Sequence, residues 1–194
     1  MTKTNILKTL YNSPQKIFTL KELSLMFPSI EYVNLKRRLN NLTKSNQILN
    51  PKRGIYAKDN YLIPELAGKI YSPSYLSLES ILAKEGVIFQ KYNSTFMISY
   101  VNREIKISDN LIIYKRLRNE ILLNNLGIEK IDNYFAASKE RAFTDAVYLY
   151  HDYHFDNLDN LNWDFVLELS KIYKSKKTSK RILSYYKLNK KDHV

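Results

Sequence analysis

Between residues 31 and 45 the leucines Leu35, Leu39 and Leu42 recur at spacings of four and three, which predicts a helix over about Glu31–Ser45 with one apolar stripe to bury. Its other side carries Asn34, Arg37, Arg38, Asn41 and Lys44. A helix divided in this way needs neighbours that cover the leucines and leave the basic side open. The preceding segments supply them. Thr4–Tyr11 has a short helical pattern with Ile6, Leu7 and Leu10 apolar, stopped by Ser13-Pro14 because the residue before proline disfavours the helical well. Thr19 and Glu22 have capping-box spacing, so a second helix starts near Leu20 with Leu20, Leu23 and Phe27 on one face. Beyond residue 45, Ile48-Leu49 and Ile55-Tyr56-Ala57 are short β-like runs around the turn Asn50-Pro51-Lys52-Arg53-Gly54.

Helix, helix, amphipathic basic helix and basic-tipped hairpin within 60 residues is the order of a winged helix-turn-helix. Arginine can pair with guanine edges and asparagine with adenine in a major groove. Lys52 and Arg53 at the hairpin tip would then lie over phosphates or the neighbouring minor groove. An ordinary helical subdomain with a solvated charged face, or a winged helix used for protein contact, has the same pattern.

The distribution of charge agrees with a polyanionic partner. The 194-residue chain has a net charge of +12. Residues 1–60 hold 11 basic and 3 acidic side chains, residues 165–194 hold 9 and 2, and residues 61–164 hold 11 and 14. A basic surplus at both ends of an acidic middle points to nucleic acid. Within the last segment Lys171, Lys174, Lys176, Lys177, Lys180 and Arg181 form the densest basic run. On a helix Tyr173, Lys176, Lys177 and Lys180 share a face, so this arm is a second candidate contact with DNA.

Other chemistry finds little support. The absence of cysteine excludes disulfides, thiolate metal sites and cysteine nucleophiles. Four glycines in all and no phosphate-cradling loop argue against P-loop and Rossmann sites. His151-Asp152-Tyr153-His154 with Asp156 could hold a divalent metal, but helix-end caps and solvated loops have the same composition. Tyr71, Tyr75, Tyr148, Tyr150 and Tyr153 could stack bases or form the rim of a core. No cofactor or metal is expected. The lack of a long apolar run predicts a soluble, cytoplasmic protein without membrane contact.

From residue 61 onward we expect an α+β domain. Ser74–Glu85 is predicted as a helix closed by Gly86, with Leu78, Ile81 and Leu82 inward. Val87–Gln90, Phe96–Val101, Glu104–Ile107 and Leu111–Tyr114 are strand candidates in an antiparallel sheet, with turns at Asn93-Ser94, Asn102-Arg103 and Asp109-Asn110. One further strand is expected over Ile128–Phe135. Ser138 should cap a helix whose Phe143, Ala146, Val147 and Tyr150 face inward. The chain should end in helices over Asn160–Lys174 and Ser179–Leu188. The whole is α+β: a winged helix-turn-helix over residues 1–60, then an α/β domain over 61–194 with C-terminal helices and a basic arm.

Three segments carry a resemblance. Arg53-Gly54-Ile55-Tyr56, Ser72-Pro73-Ser74-Tyr75-Leu76-Ser77-Leu78-Glu79-Ser80 and Ala137-Ser138-Lys139-Glu140-Arg141-Ala142-Phe143-Thr144-Asp145-Ala146-Val147-Tyr148-Leu149 resemble, in order, the R-G-x-Y, P-x-Y-[IL]-S-L-E-S-A-L and A-x-P-E-K-A-L-L-D-x-x-Y-L patterns of AbiEi-type antitoxins of bacterial type IV toxin–antitoxin systems. Ile81 departs from the usual alanine, and Ser138-Lys139-Glu140-Arg141 from the Pro-Glu-Lys run. The resemblance implies a non-enzymatic winged-helix autorepressor of promoter repeats in double-stranded DNA, monomeric or weakly dimeric. It also implies that the C-terminal domain neutralises a co-encoded nucleotidyltransferase toxin without a stable complex. By it, Arg53 and Tyr56 are wing positions. Leu78, Ala142 and Leu149 suit core positions, and Ser77 and Glu79 suit tethers of a helix. A nucleic-acid-acting enzyme and a protein-interaction adaptor are the alternatives.

Overall fold

The computed structural model describes residues 5–191, so Thr4, the expected start of the first helix, lies outside them. The chain forms two compact units, Met1–Ile70 and Tyr71–Val194, and both mix helices with strands.

In the first unit α1 (Ile6–Asn12) leads to β1 (Ile17–Thr19), α2 (Leu20–Met26), α3 (Tyr32–Lys44), β2 (Leu49–Lys52), β3 (Ile55–Ala57) and α4 (Ile63–Ile70). The capping box forms as the spacing predicts. The Glu22 N–H donates to Thr19 Oγ1 at 3.1 Å while Glu22 Oε2 accepts from the Thr19 N–H at 2.7 Å. Thr19 also ends β1, so the residue that caps α2 fixes where strand gives way to helix. The sequence pattern contains no sign of β1 because Ile17-Phe18-Thr19 is too short to alternate. Its register on β3, Ile17 against Ala57 and Thr19 against Ile55, closes an antiparallel sheet of order β1-β3-β2. The hairpin turn is tighter than expected. β2 runs to Lys52, leaving Arg53 and Gly54, the latter at φ 78, to reverse the chain.

Leu35 and Leu39 are fully buried in one cluster with Ile6, Leu10, Phe18, Leu23, Phe27, Ile48 and Tyr56, and Leu42 packs at its edge. The α1 end is closed by Lys58, whose ammonium donates to the Tyr11 and Ser13 carbonyls at 3.3 and 2.5 Å. This unit extends past the expected boundary at residue 60. α4 packs on β1, and Lys69 pairs with Glu22.

The second unit is built on a six-stranded sheet of order β6-β7-β5-β4-β9-β8, from β4 (Ser74–Leu76), β5 (Ser94–Ser99), β6 (Arg103–Ile107), β7 (Asn110–Arg116), β8 (Ile128–Ile131) and β9 (Tyr134–Ala137). The sheet is mixed and not antiparallel. β5 lies parallel to β7, and β4 parallel to β9. Turn residues locate hairpins such as β6–β7, but they do not reveal that β7 inserts between β5 and β6.

Several expected elements differ. Ser74–Glu85 is a strand followed by the short helix α5 (Glu79–Leu82). The apolar spacing of Leu78, Ile81 and Leu82 is helical, but Leu78 at φ 54 breaks the chain ahead of α5, and Ser74–Leu76 pairs with Met97–Ser99. Val87–Gln90 is irregular. The Val87 carbonyl accepts from the Asp156 and Asn157 amides, and the Phe89 N–H donates to Asp156 Oδ2 at 2.7 Å. Ile128–Phe135 is a hairpin, β8–β9, because Asp132 at φ 48 reverses the chain.

α6 (Asn119–Leu122) precedes that hairpin. As expected, Ser138 Oγ caps α7 (Lys139–Leu149) by accepting from the Arg141 N–H at 3.2 Å, with Phe143, Ala146 and Val147 buried. The last part comprises α8 (Trp163–Ser170), a 3₁₀ turn (Lys171–Tyr173) and α9 (Lys176–Lys191), parted by Lys174 in the left-handed region. Among the described residues no helix is long and apolar enough to cross a membrane.

The capping box yields a pH-dependent expectation. Burial raises the Glu22 carboxyl, but Lys69 and the Thr19 N–H outweigh it, so it titrates below the ordinary glutamate range. A carboxyl lowered by folding stabilises fully above its unfolded pKa, about 4.3, and loses that contribution as pH falls through the folded value. Followed by NMR signals of residues 17–57, Glu22→Gln should melt earlier than the wild type at pH 7 and lose this part of the acid dependence below about pH 4.3. Thr19→Ala should cost about 1 kcal/mol. Equal melting of Glu22→Gln and wild type at pH 7 would contradict this role.

Candidate nucleic-acid interface

On α3 successive residues are about 100° apart, so the buried Leu35–Leu39 stripe fixes what points outward. Val33, Arg37, Asn41 and Lys44 lie within about 40° of the direction opposite the stripe, and Asn40 about 60° from it. All five are exposed, and with Lys36 they line one open groove.

The expected readers divide on this geometry. Arg37 and Lys44 are on the outermost line, and Asn41 is beside it. Asn34 is half-buried on the flank, its amide donating to Glu31 Oε2 at 2.9 Å while its Oδ1 accepts from Arg37 Nη2 at 3.2 Å. It therefore orients Arg37. Arg38 lies on the same flank, about 60° from the leucine stripe, beside Asn5, Ile6, Leu7 and Leu42 in a second groove. Val33 is absent from the expected readers, although the same wheel arithmetic, centred on Leu35 and Leu39, turns it outward; Asn40 and Lys36, also absent, lie on the flank opposite Arg38, with Lys36 as close to the leucine stripe as Arg38 is.

At the hairpin Lys52 and Arg53 are exposed, whereas Tyr56 is buried. Burial raises the Tyr56 phenol above its ordinary value. Its hydroxyl donates to Asn40 Oδ1 at 3.4 Å, so Tyr56 is a positioning residue that links β3 to the outer line of α3. No carboxylate pairs with Lys36, Arg37, Arg38, Lys44, Lys52 or Arg53 among the described residues.

In the second unit Lys176, Lys177 and Lys180 are exposed on α9, as a contact surface requires. Tyr173 does not join them. The left-handed Lys174 turns the chain between, and Tyr173 is fully buried. Arg181 is also withdrawn from the arm. Its guanidinium donates to the carbonyls of Tyr150, at the C-terminus of α7, and His151, the latter at 3.4 Å. His151 and His154 are exposed beside Asp152 and Asp156, and no group of three or more histidines and carboxylates converges as a metal site among the described residues.

The second and third segments that carried the resemblance meet inside this unit. Asp145 on α7 accepts from Arg141 Nε at 3.3 Å, Ser77 Oγ at 2.9 Å, Tyr75 Oη at 3.0 Å and Tyr173 Oη at 2.6 Å. Arg141 donates also to Tyr75 Oη at 3.0 Å and to the carbonyls of Ile121, Asn124 and Leu126 at 2.8, 3.2 and 2.9 Å. Both charged side chains have no exposed surface. Burial disfavours the Arg141 charge, and Asp145 with the two phenolic oxygens outweighs it, so Arg141 is held above its ordinary pKa.

Gly127 is required beside this pair. A Cβ there would meet Arg141 Cβ at 2.9 Å, and its φ is +72. Ser77 thus tethers β4 to α7, and Glu79 accepts from Tyr150 Oη at 3.4 Å. Leu78 and Ala142 are core, whereas Leu149 is half-buried. Tyr75 and Tyr173 are too deeply enclosed to stack bases.

No protein-family model matches the chain, and no curated protein matches it significantly.

Removing one partner of a buried pair leaves the other charge uncompensated, at about 3–5 kcal/mol. Asp145→Asn and Arg141→Met should each destabilise the second unit by about that amount, read by Trp163 fluorescence on unfolding. The double variant should lose less than the two single losses combined. Strict additivity would show that the two side chains act independently.

Proposed function

We propose that this chain is a duplex-DNA-binding autoregulator whose first unit is a winged helix-turn-helix. The observation that carries the reading is the outer line of α3, Arg37, Asn40 and Lys44, exposed opposite a buried leucine stripe and free of neutralising carboxylates among the described residues. The element order α1-β1-α2-α3-β2-β3, with β1 on the far side of β3 from β2, also favours it. In such a unit the third helix enters the major groove and the β2–β3 hairpin is the wing. Arg37 and Asn40 then face base edges, Lys36, Asn41 and Lys44 flank them, and Lys52 and Arg53 reach phosphates. Lys176, Lys177 and Lys180 add a sequence-independent contact.

The resemblance to AbiEi-type antitoxins supplies the biological setting of this proposal. The first unit would repress its own operon, and the second would oppose a co-encoded nucleotidyltransferase toxin without chemistry of its own.

The test is selection of duplexes from a random-sequence pool by the full chain, followed by titration at several salt concentrations. Arg37→Ala and Asn40→Ala should each cost about 1–3 kcal/mol on the selected duplex and little on an unrelated one, with Arg38→Ala affecting both about equally. Changing Lys176, Lys177 and Lys180 together to Gln should make the slope of log affinity against log salt shallower by roughly 2–3 on both duplexes. Failure of any sequence to enrich would refute specific recognition, and an unchanged slope would remove α9 from the interface.

A further inference from the structure

We infer that Val33 reads the C5-methyl group of a thymine, so that the duplex recognised by this chain carries a thymine opposite the N-terminal end of α3. The inference rests on the DNA-binding reading above and goes beyond it by assigning a base.

The outer line of α3 runs Val33, Arg37, Asn40, Lys44, and the first of these has no polar atom in its side chain. Val33 is 68% exposed and is surrounded in its groove by Lys36, Arg37 and Asn40. It contributes little to the core because it points away from Leu35 and Leu39. It also occupies the second position of the helix, and in helix-turn-helix units the N-terminal residues of the recognition helix reach base edges.

A side chain without donor or acceptor at that position can recognise only an apolar feature. The major groove displays one, the thymine methyl, among the donors and acceptors of the other edges. Valine suits this task because its β-branch leaves essentially one χ1 rotamer in a helix. Its two methyls are therefore fixed before binding, with little entropy to lose. Leu25, Met26 and Tyr32 are also exposed on α2 and α3, so a contact with a second copy is the competing use of this corner. The cationic and amide neighbours of Val33 favour nucleic acid over an apolar protein surface.

The experiment uses the full chain and a duplex enriched from a random-sequence pool. Each thymine in turn is replaced by deoxyuridine, which keeps the base pair and the O4 acceptor and lacks only the methyl. Wild-type chain should lose about fourfold in affinity at one thymine, the scale of one buried methyl group. Val33→Ala should show about the same loss on the unmodified duplex and be indifferent to uracil there, while Val33→Thr, which keeps one methyl, should retain partial sensitivity. Equal melting of the variants checks that the fold is intact.

Binding by Val33→Ala that remains as sensitive to uracil as the wild type, or wild-type indifference at every thymine, would overturn the inference and leave DNA binding standing. A change in sedimentation with Val33→Ala and no change in uracil sensitivity would assign the residue to self-association instead. Absence of any enriched duplex would fell both readings at an earlier step.

Discussion

The second unit depends on one buried ion pair. Arg141 and Asp145 lie one turn apart on α7, where they face each other with no exposed side-chain surface. Removal from solvent costs both charges several kcal/mol, and attraction alone rarely repays it. What offsets the cost here is complete satisfaction of their hydrogen bonds. Asp145 gathers hydroxyls from Tyr75 and Ser77, two residues apart on one side of the extended chain at β4, and from Tyr173 at the 3₁₀ turn. Arg141 gathers the carbonyls of Ile121, Asn124 and Leu126, which approach because Gly127 leaves room. The pair thereby fixes where a central strand, α6, α7 and the start of the C-terminal helices meet, and Arg181 can then reach the exposed end of α7.

The first unit follows a different economy. Its polar contacts sit at the ends of elements: a local capping box, a two-residue hairpin turn and Lys58, which reaches across the fold to the end of α1. Its core is a single apolar cluster that holds α3 by Leu35 and Leu39. Burial of that stripe turns Val33, Arg37, Asn40 and Lys44 to solvent. The basic face is thus a consequence of the packing, and Tyr56 connects the two by reaching from the core to Asn40.

Much of the first unit was legible because its signals are local. Thr19 with Glu22, the leucine spacing and the Arg53-Gly54 turn each fix a short piece of backbone. The three-residue β1 gave no periodic signal, and the set Asn34, Arg37, Arg38, Asn41 and Lys44 groups the charged and amide residues by type, whereas the leucines define the axis that turns Val33 outward and Arg38 to the flank. In the second unit Ser138 and the α7 core positions were readable for the same local reason. The parallel pairing of β5 with β7 was not, because insertion of a strand is a long-range choice. Ser74–Glu85 misled through an apolar spacing that α5 satisfies for only one turn, while Tyr75 and Ser77 answer to Asp145, some seventy residues away. Tyr173 resembles part of a basic arm because its buried partner, Asp145, is 28 residues away in sequence.

The central claim is that α3 and the β2–β3 hairpin bind duplex DNA. Amide NMR of the full chain during titration with the enriched duplex tests it at residue resolution. The account predicts that the largest changes fall on residues 32–44 and 52–54, with further changes on α9 that disappear first as salt is raised. Changes confined to the second unit, or to the α1 side of α3 around Leu7 and Leu42, would contradict it.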